Sequence, residues 1–498
     1  MREAATTGTS RTYDVIVIGA GPVGENVADR TRVAGLSTVI VESELIGGEC
    51  SYWACEPSKA LLRPVLARAD ARRVPGLRAA AAGPLDIPAV LAHRDEMTFH
   101  RDDTKQAEWL RGVAVDLLRG HGRLEGPRCV SVTTPEGDTT VLTARHAVVL
   151  CTGTTAAVPD GLGLESTRHW TSREATSADH VPGRLAVVGG GVVAVEMATA
   201  WQGLGAEVTM LVRDGGLLHR MEPFAGELVT ESLRETGVDI RFDVTVTAVK
   251  RKDGDDGEVT ITLDDGSHLV ADEILFATGR SPRTTDVGLD SIGLTPGDWL
   301  AVDDSCRVTA VSGGWLYAVG DVNRRALLTH QGKYQARIAG AAIGSRANGE
   351  PAQADRWGRH AATADGTAVP QVVFTDPEVA SVGLTTHEAA QSERRIDVVD
   401  YDLARVSGAH QYARSYRGRA RMLVDADQGT VVGVTLVGPG VGEVLHAATI
   451  AVVGEVPLDR LWHAVPAFPT ISEVWLRLLE TYRDRTRTDQ DLADITTG

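Results

Sequence analysis

The sequence predicts an α/β protein, because it twice repeats a buried strand, a glycine-rich turn and a helix. Val15 to Ile18 is a continuous apolar run, typical of a strand buried on both faces, and it leads into the turn Gly19-x-Gly21-x-x-Gly24. The pattern returns 170 residues later at RLAVVGGGVVAVE, where Gly189, Gly191 and Ala194 take the three positions. A new strand pattern opens at VPQVVFTDPEVASVGL, after a polar stretch near residue 350. We therefore expect two Rossmann-like domains followed by a smaller C-terminal domain.

Size and charge narrow the function classes. The chain has 498 residues, enough for three or four domains with substantial cores. Its 67 acidic and 50 basic residues give a net charge of −17, which disfavours nucleic acid as a partner. No apolar run reaches the roughly 18 to 20 residues of a membrane span, and the start lacks an apolar signal core. With only five unevenly spaced cysteines, a reducing cytoplasm is the expected compartment.

The first glycine turn has the full context of a dinucleotide site. A second apolar run, Thr38 to Val41, ends in Glu42, eighteen residues after Gly24. The glycines let the backbone approach a pyrophosphate at the helix N-terminus, and the acid accepts from a ribose hydroxyl. A GxGxxG turn alone is often only a turn, but strand, helix, second strand and terminal acid together favour dinucleotide binding.

The second unit favours a different dinucleotide. Its following strand, Val208 to Val212, leads into Arg213 instead of an acid, and His219 and Arg220 lie close behind. An arginine pairs with a 2′-phosphate that an acid would repel, so NADPH is favoured over NADH. The alternative is that Arg213 is a solvated surface charge next to Asp214.

Three further strand ends point to nucleotide contacts. Apolar strands end in Cys151-Thr152-Gly153 and in Ala277-Thr278-Gly279-Arg280, and WLYAVGDVN runs into Gly320-Asp321. A carboxylate at the end of a buried strand is costly unless it meets a polar ligand, such as the hydroxyls of a cofactor.

With these elements, the chain resembles the class I flavoprotein disulfide reductases. The motifs GAGPVG, GGxC-x4-C-x-PSKAL, GGGVVAVE, ATGR, AVGD and PTISE occur in the family's order, from Tyr13 to about Leu479. The resemblance implies an FAD domain in two segments, 12–160 and 286–350, with an NAD(P)H domain, 161–285, between them. It also implies an α+β dimerisation domain, 351–480, that forms a homodimer. Residues 1–11 are expected to be a disordered tail and 481–498 a C-terminal tail.

The resemblance also implies roles for individual residues. Hydride passes from NAD(P)H through FAD to a Cys50–Cys55 disulfide, Cys55 lies against the flavin as the charge-transfer thiolate, and Cys50 attacks the substrate. Lys59 and Glu196 pair near the reactive nitrogen of the flavin. The candidate catalytic residues are Cys50, Cys55, Lys59, Glu196, Glu473 and His463. The candidate cofactor-binding residues are Gly19, Gly21, Pro22, Gly24, Glu42, Gly48, Lys59, Gly122, Thr152, Gly153, Gly189, Gly191, Glu196, Arg213, Gly279, Arg280, Gly320 and Asp321.

The spacing of Cys50 and Cys55 makes a structural demand. In a regular helix five residues rise about 7.5 Å, beyond the roughly 4.4 to 6.8 Å between the alpha carbons of a disulfide. A disulfide here requires distorted backbone, for which Pro57 supplies a reason, and a helix start lowers the pKa of a thiol. Buried inert cysteines and half of a zinc site are the alternatives, but the other cysteines lie in unrelated segments. A redox pair is favoured and no metal is expected.

The residues between and after the two cysteines depart from the family pattern. Tyr52 and Trp53 are bulky, and either pack against a neighbouring domain or shape the approach of the substrate. Glu56 places a negative charge directly after Cys55, which we expect to raise the pKa of the Cys55 thiol.

The C-terminal motif lacks the family's acid–base. Where the family has His-Pro-Thr-x-Ser-Glu, this chain has Phe468 before Pro469, while Glu473 keeps its position. Phenylalanine cannot move protons, so either His463 substitutes, or it is a packed residue and Glu473 acts alone or is structural. No cysteine pair is present in the last residues, so metal reduction by that route is not expected.

Three functions remain open. The first is reduction of a disulfide or another thiol-reactive small molecule by NADPH through FAD and the cysteine pair. The second is direct reduction of a quinone or dye by the flavin, as in a diaphorase. The third is a redox-sensing flavoprotein with little turnover.

Overall fold

The computed structural model describes residues 10–164, 167–252 and 257–497. The strands are β1 (Ser10–Ile18), β2 (Thr38–Glu42), β3 (Asp116–Arg119), β4 (His121–Leu124), β5 (Cys129–Thr133), β6 (Thr139–Leu150), β7 (Thr154–Ala156), β8 (Arg184–Val188), β9 (Glu207–Leu211), β10 (Asp239–Arg241), β11 (Val246–Arg251), β12 (Val259–Leu263), β13 (His268–Ala271), β14 (Glu273–Phe276), β15 (Arg280–Pro282), β16 (Leu316–Ala318), β17 (Gln371–Val373), β18 (Glu378–Gly383), β19 (Ile396–Asp402), β20 (Arg419–Asp425) and β21 (Thr430–Gly438). The helices are α1 (Pro22–Val33), α2 (Gly48–Tyr52), α3 (Cys55–Arg73), α4 (Ile87–Met97), α5 (Thr104–Gly112), α6 (Ser172–Ser177), α7 (Val192–Leu204), α8 (Pro223–Glu235), α9 (Thr329–Ala347), α10 (Thr386–Ala390), α11 (Ser407–Tyr412), α12 (Leu445–Val453), α13 (Leu458–Leu461) and α14 (Val474–Thr497).

The chain forms two compact units. Unit 1 comprises residues 1–57, 93–157 and 279–366, and unit 2 comprises 58–92, 158–278 and 367–498. The predicted tail over 1–11 lies mostly outside the described residues, but Ser10 and Arg11 belong to β1. Residues 481–497 continue α14. The predicted division into FAD, NAD(P)H and dimerisation domains stays a prediction.

Unit 1 is built on a seven-stranded sheet in the order β3-β2-β1-β6-β5-β4, with β16 also paired to β6. Strands β1, β2 and β3 are parallel, as are the pairings of β6 with β1 and with β16. Val15 and Val17 belong to the core on one face of β1, and Ile16 and Ile18 to the core on the other. Burial on both faces explains the continuous apolar run in the sequence.

Helices α1 and α9 pack closely on the unit 1 sheet. A Cβ added to Gly340 would lie 2.5 Å from the Cβ of Arg30, and one added to Gly344 would lie 2.6 Å from the Cβ of Ala34. Glycines in α9 therefore let the two helix backbones approach each other. The N-terminal residue of α9, Thr329, lies beside the cysteine pair.

Unit 2 contains three sheets. Strands β10-β9-β8-β14 form a parallel sheet, β11-β12-β13 an antiparallel sheet, and β17-β18-β21-β20-β19 a five-stranded antiparallel sheet. Helix α7 follows β8 directly, and nine of its residues are buried, including Trp201 at 0 % exposure. The strand expected at Val208 to Val212 is β9, one residue earlier. The α/β class that the sequence predicts is confirmed.

Candidate active site

The first glycine-rich turn joins β1 to α1. Gly19 has φ +98°, and a Cβ there would lie 2.5 Å from the Cys151 carbonyl oxygen, so only glycine fits. A Cβ on Gly24 would lie 1.9 Å from the Gly19 oxygen, whereas one on Gly21 would meet nothing within 4 Å. The first and third glycines thus serve the fold, and the second leaves open space at the helix N-terminus. This is the cradle that a pyrophosphate requires.

Glu42 lies at the end of β2, as the sequence predicts, but its carboxylate already has partners. One oxygen accepts from the Ala20 amide at 2.6 Å and the other from the Glu44 amide at 2.7 Å. Burial raises the pKa of Glu42, against the lowering effect of these bonds. Each carboxylate oxygen keeps a second lone pair for a ribose hydroxyl. Contact with a ribose stays a prediction.

Polar groups gather where β6 and β16 end. Asp321 is half-buried and accepts from the Thr154 hydroxyl at 2.8 Å, and desolvation raises the pKa of Asp321. The Thr152 hydroxyl is buried and has no hydrogen-bond partner within the described part of the chain. An unpartnered hydroxyl and a carboxylate after the ends of two paired strands suit the hydroxyls of a bound flavin cofactor. The residues of unit 1 therefore fit FAD.

Several other predicted cofactor residues have structural partners. Arg280 donates to Thr154 Oγ1 at 2.6 Å and to its carbonyl at 2.8 Å. The Gly320 amide donates to Gln335 Oε1 at 2.8 Å. A Cβ on Gly122 would lie 3.1 Å from Ile18 and Val41 side-chain carbons, so Gly122 fits tightly into the core. A Cβ on Gly48 would lie 2.9 Å from the Gly21 Cα, so the cysteine segment packs onto the glycine turn.

The backbone between the two cysteines is distorted, as their spacing demands. Helix α2 ends at Tyr52 and α3 begins at Cys55, with Trp53 at φ −137° and ψ 0° between them. A proline ring clashes with the carbonyl four residues earlier, which for Pro57 is that of Trp53. Pro57 itself lies in the first turn of α3, where its missing N–H removes no helical bond. The helix therefore breaks at Trp53.

The break brings the two thiols together. Both cysteines are half-buried, and Cys50 hydrogen bonds to Cys55. This bond, burial and the negative charge of Cys55 raise the pKa of Cys50, against a lowering effect of the Thr329 hydroxyl. The Thr329 hydroxyl, in the first turn of α9, lies 3.3 Å from Cys55 Sγ. A thiolate at Cys55 thus has two donors, Cys50 and Thr329.

Tyr52 is a core residue, so of the two alternatives that the sequence left open the structure favours packing over shaping the approach of a substrate. Its side chain has 0 % exposure, and its hydroxyl donates to the Ile46 carbonyl at 3.0 Å. Burial raises the pKa of Tyr52 to about 12. It packs within unit 1, with Trp53 edge-on at 5.7 Å between ring centroids.

In unit 2, Lys59 meets Glu196 as predicted. Lys59 Nζ lies 2.8 Å from Glu196 Oε2, and the other oxygen accepts from the Phe374 amide at 3.0 Å. The ammonium also lies 4.8 Å from the centroid of the Phe374 ring. Glu196 is 4 % exposed, so burial and the Phe374 amide hold the carboxylate of the ion pair in place.

The second glycine turn repeats the design of the first. A Cβ on Gly189, at φ +127°, would lie 2.4 Å from the Ala277 oxygen, and one on Gly191 would meet nothing within 4 Å. Ala194 at the third position is fully buried. The side chain of Arg213 is 79 % exposed, and its nearest charge is Asp214 at 3.5 Å. Unit 2 therefore fits a second dinucleotide.

In the C-terminal motif, Glu473 pairs with an arginine and not with a histidine. Glu473 is buried and accepts from Arg477 at 2.6 Å, one turn along α14. Its second oxygen has no hydrogen-bond partner in the described residues. His463 is exposed and makes no hydrogen bond to Glu473, and Phe468 is 74 % exposed.

Sequence reasoning missed four residues near these groups. Thr329, Arg477 and Phe374 contact predicted site residues, and Arg283 pairs with Glu49, next to Cys50, at 3.2 Å. Only Arg477 carried a local signal, since it lies four residues after Glu473 on a helical face. The others come from distant segments.

Comparison with known proteins shows the family. Residues 13–342 match the pyridine nucleotide-disulphide oxidoreductase model, and residues 369–478 match that family's dimerisation domain. The chain belongs to the pyridine nucleotide-disulphide oxidoreductase family. It is an NAD(P)H-dependent flavoprotein disulfide oxidoreductase that uses FAD.

Relatives cover nearly the whole chain. Mercuric reductase of Shigella flexneri is 32% identical over 474 residues, covering 94% of this chain and 80% of the relative. Dihydrolipoyl dehydrogenase 3 of Pseudomonas aeruginosa is 31% identical over 472 residues, covering 93% and 96%.

Solved structures share the fold. The Cu(II) complex of the HOCl-induced flavoprotein disulfide reductase RclA from Escherichia coli has a TM-score of 0.80 at 22% identity, covering 94% of this chain and 99% of that one. LpdA from Mycobacterium tuberculosis has a TM-score of 0.79 at 23% identity, covering 95% and 99%.

The described residues contain neither a metal-binding cluster nor a membrane-spanning helix. Among them, no group of three or more His, Cys, Asp or Glu side chains is arranged to hold a metal ion. None of the described helices has the length and apolar character needed to cross a membrane.

Proposed function

We propose that this enzyme passes electrons from NADPH through FAD to a Cys50–Cys55 disulfide, and from there to a disulfide or another thiol-reactive small molecule. When bound, FAD takes a hydride from the nicotinamide and delivers two electrons to the cysteine pair. The observation that carries the proposal is the contact of Cys50 with Cys55, with the Thr329 hydroxyl at 3.3 Å from Cys55 Sγ.

The cysteine pair divides its charge unequally after reduction. Two electrons and one proton break the sulfur–sulfur bond and leave one thiol and one thiolate. Because its pKa is raised, Cys50 keeps the proton, and Cys55 holds the negative charge between the Cys50 and Thr329 donors. The helix start at Cys55 favours the same assignment.

Transfer to a disulfide substrate follows from this arrangement. Cys50 loses its proton and attacks one substrate sulfur, and the substrate disulfide breaks to leave a mixed disulfide and one substrate thiol. The Cys55 thiolate then attacks Cys50, which re-forms the protein disulfide and releases the second thiol. The Cys50 proton and one solvent proton end on the two product thiols.

Among the described residues, no histidine is placed beside Glu473 to act as the acid–base of the output step. Phe468 stands at the histidine position, and Arg477 binds one carboxylate oxygen of Glu473, the residue that would orient such a histidine. A positioned acid–base contributes about 10² to 10⁴-fold. The substrate is therefore one that needs little proton transfer, such as an activated disulfide. The exposed Phe468 ring also favours the second candidate, a quinone reduced directly by the flavin.

Arg213 supports the choice of NADPH over NADH. Its guanidinium is exposed, and its one nearby carboxylate, Asp214, is itself half exposed at 3.5 Å. Such a weak surface pair leaves the guanidinium available to a 2′-phosphate.

We further propose a homodimer in a reducing cytoplasm, each copy divided into the FAD, NAD(P)H and dimerisation domains that the resemblance implies. Val465 and Phe468 are 86 % and 74 % exposed, and Ile450 on α12 is 58 % exposed. Exposed apolar side chains within the matched dimerisation domain are what a second copy would bury.

The test is turnover with two acceptors in three proteins. We measure anaerobic NADPH oxidation with an activated disulfide, whose thiolate is a good leaving group, and with a quinone for the wild type, Cys50→Ser and the control Cys129→Ser. The proposal predicts that only Cys50→Ser loses disulfide reduction, while NADPH still bleaches its flavin. If Cys50→Ser keeps disulfide reduction, the cysteine route is wrong. Quinone activity that exceeds disulfide activity in the wild type would establish the second candidate.

A further inference from the structure

We propose a second ligand site in unit 1: a pocket that binds a phosphate-sized oxyanion between β6, β16 and the C-terminal end of α9. The pocket has a volume of about 90 Å³ and is lined by Arg128, Arg145, His146, Ala147, Tyr317, Ile343, Arg346 and Ala347. Since one water needs roughly 10 to 15 Å³ by this measure, the pocket has room for an anion with four oxygens.

The pocket is locally positive in an acidic protein. Three guanidiniums and one imidazole line it, whereas the chain as a whole carries −17. The carboxylate beside it is Asp14, whose Oδ1 lies 3.0 Å from Arg145 and 3.8 Å from His146. The other Asp14 oxygen accepts from the Ser37 amide and hydroxyl. One carboxylate therefore does not neutralise the cluster.

A β-bulge directs two of these side chains outward together. The pairing of β1 with β6 shifts between Tyr13 and Val15, so Arg145 and His146 both stand opposite Asp14. In a regular strand these neighbours would point to opposite faces, but both are exposed and both line the pocket. Bulges of this kind re-aim side chains and are common beside binding sites.

Arg128 is held in an unfavourable conformation with no charge partner. It has φ +60°, in the left-handed region that residues other than glycine rarely adopt. Its side chain forms no ion pair or hydrogen bond with the rest of the described chain. Strained residues of this type cluster at ligand sites. An anion in the pocket supplies the partner that Arg128 lacks.

The remaining groups position the ligand. Arg346 donates to the Gly314 carbonyl and to the Gly313 carbonyl at 2.6 Å, which fixes it at one side of the pocket. It also hydrogen bonds to Tyr317, whose pKa is raised by burial, so the Tyr317 hydroxyl keeps its proton for donation. Arg128 and Arg145 then supply the charge, and Ile343 and Ala347 form an apolar wall.

The site is separate from the FAD cradle. Arg346 lies seventeen residues after Thr329 on α9, roughly 25 Å along the helix at about 1.5 Å per residue. A ligand here does not compete with FAD or the substrate. Two kinds of ligand carry a doubly charged oxyanion that suits the pocket: free phosphate and the phosphate group of a small phosphorylated metabolite.

Calorimetry with the FAD-loaded full chain tests the site. The protein is saturated with NADP⁺ and titrated at constant ionic strength with inorganic phosphate, then with glucose 6-phosphate. We expect saturable phosphate binding with a dissociation constant on the order of 1 mM, because a few charge-assisted bonds form. Tighter binding of glucose 6-phosphate assigns the site to a phosphorylated metabolite, and equal or weaker binding assigns it to free phosphate.

Two matched variants decide whether the pocket is responsible. Arg128→Ala removes an arginine that makes no internal bond, and should weaken binding about tenfold. The control Arg111→Ala removes an exposed arginine at the end of α5 and should change nothing. The absence of saturable binding in the wild type, no effect of Arg128→Ala, or an equal loss in Arg111→Ala would each overturn the site.

Discussion

Two segments differ sharply in how closely they follow the family pattern: the cysteine segment around Cys50 and Cys55, which receives the electrons, and the C-terminal motif around Phe468 and Glu473, which is expected to assist transfer to the substrate. Around Cys50 and Cys55 the motif residues are present, Tyr52 and Trp53 pack edge-on against each other, and Glu56 is exposed. Around Phe468 and Glu473 the histidine of the family motif is missing, and Arg477 binds one carboxylate oxygen of Glu473. This difference supports the proposal that the enzyme receives electrons in the way usual for the family but passes them to an unusual acceptor.

The largest expected effect concerns the output. We predict that the wild type reduces lipoamide and glutathione disulfide about 10² to 10⁴-fold more slowly than an enzyme with a positioned acid–base. Steady-state NADPH oxidation measures this, and stopped-flow reduction of the flavin by NADPH serves as the control that should stay fast. Rates normal for the family would remove the distinction between the two segments.

The exposed position of His463 leads to a second prediction about the acid–base of the output step. Because it is exposed and makes no bond to Glu473, His463→Ala should leave turnover unchanged. Loss of turnover with normal flavin reduction would instead show that the base has moved along the chain.

At the nucleotide site of unit 2, Arg213 should select NADPH over NADH. Arg213→Ala should raise the KM for NADPH about tenfold or more and leave that for NADH unchanged, since one charge-assisted bond is worth about 1.5 to 3 kcal/mol. Lys250→Ala, which removes another exposed cation of unit 2, is the control. An unchanged preference between the two nucleotides would refute the role of Arg213.

The Lys59–Glu196 pair should stabilise unit 2, because Glu196 is buried and Lys59 compensates its charge. Lys59→Met leaves Glu196 buried with only the Phe374 amide, so we expect the free energy of unfolding to fall by about 1 to 3 kcal/mol. Glu196→Gln added to Lys59→Met should recover part of the loss, because no buried charge then remains. Denaturant midpoints of the FAD-loaded proteins measure both, with Lys250→Met as the surface control. A double variant that is no more stable than Lys59→Met would contradict this role of the pair.

The smallest predicted effect is that of Glu56, the residue after Cys55, on the titration of the cysteine pair. It is exposed, and among the causes that raise the pKa of Cys50 its charge is the last. Removing a negative charge favours ionisation, so Glu56→Gln should move the titration of the Cys55 thiolate to lower pH, by less than about one pH unit. The long-wavelength absorbance of the NADPH-reduced enzyme reports it, with Glu108→Gln as the control. A shift to higher pH would contradict the electrostatic reading.

The sequence predicted the elements of the fold well, because both glycine turns, the strands before them and the distorted cysteine segment follow from local sterics. The site was predictable where a motif carried it, as with Lys59 and Glu196. The sequence left open whether Tyr52 packs or shapes the approach of the substrate, because an aromatic in a motif gives no sign of whether it points into the core. Thr329 and the bulge opposite Asp14 depend on pairing between distant segments, which a local pattern does not encode.

Differential alkylation of the wild type tests the central claim, that electrons pass through Cys50 and Cys55. The oxidised protein and the NADPH-reduced protein are each labelled with iodoacetamide under anaerobic conditions, and the labelled cysteines are identified by mass spectrometry. Half-buried Cys129 is the internal standard, and Cys151 and Cys306 are buried. The account predicts that Cys50 is labelled only after NADPH, while Cys129 is labelled equally in both samples. Equal labelling of Cys50 with and without NADPH would contradict it.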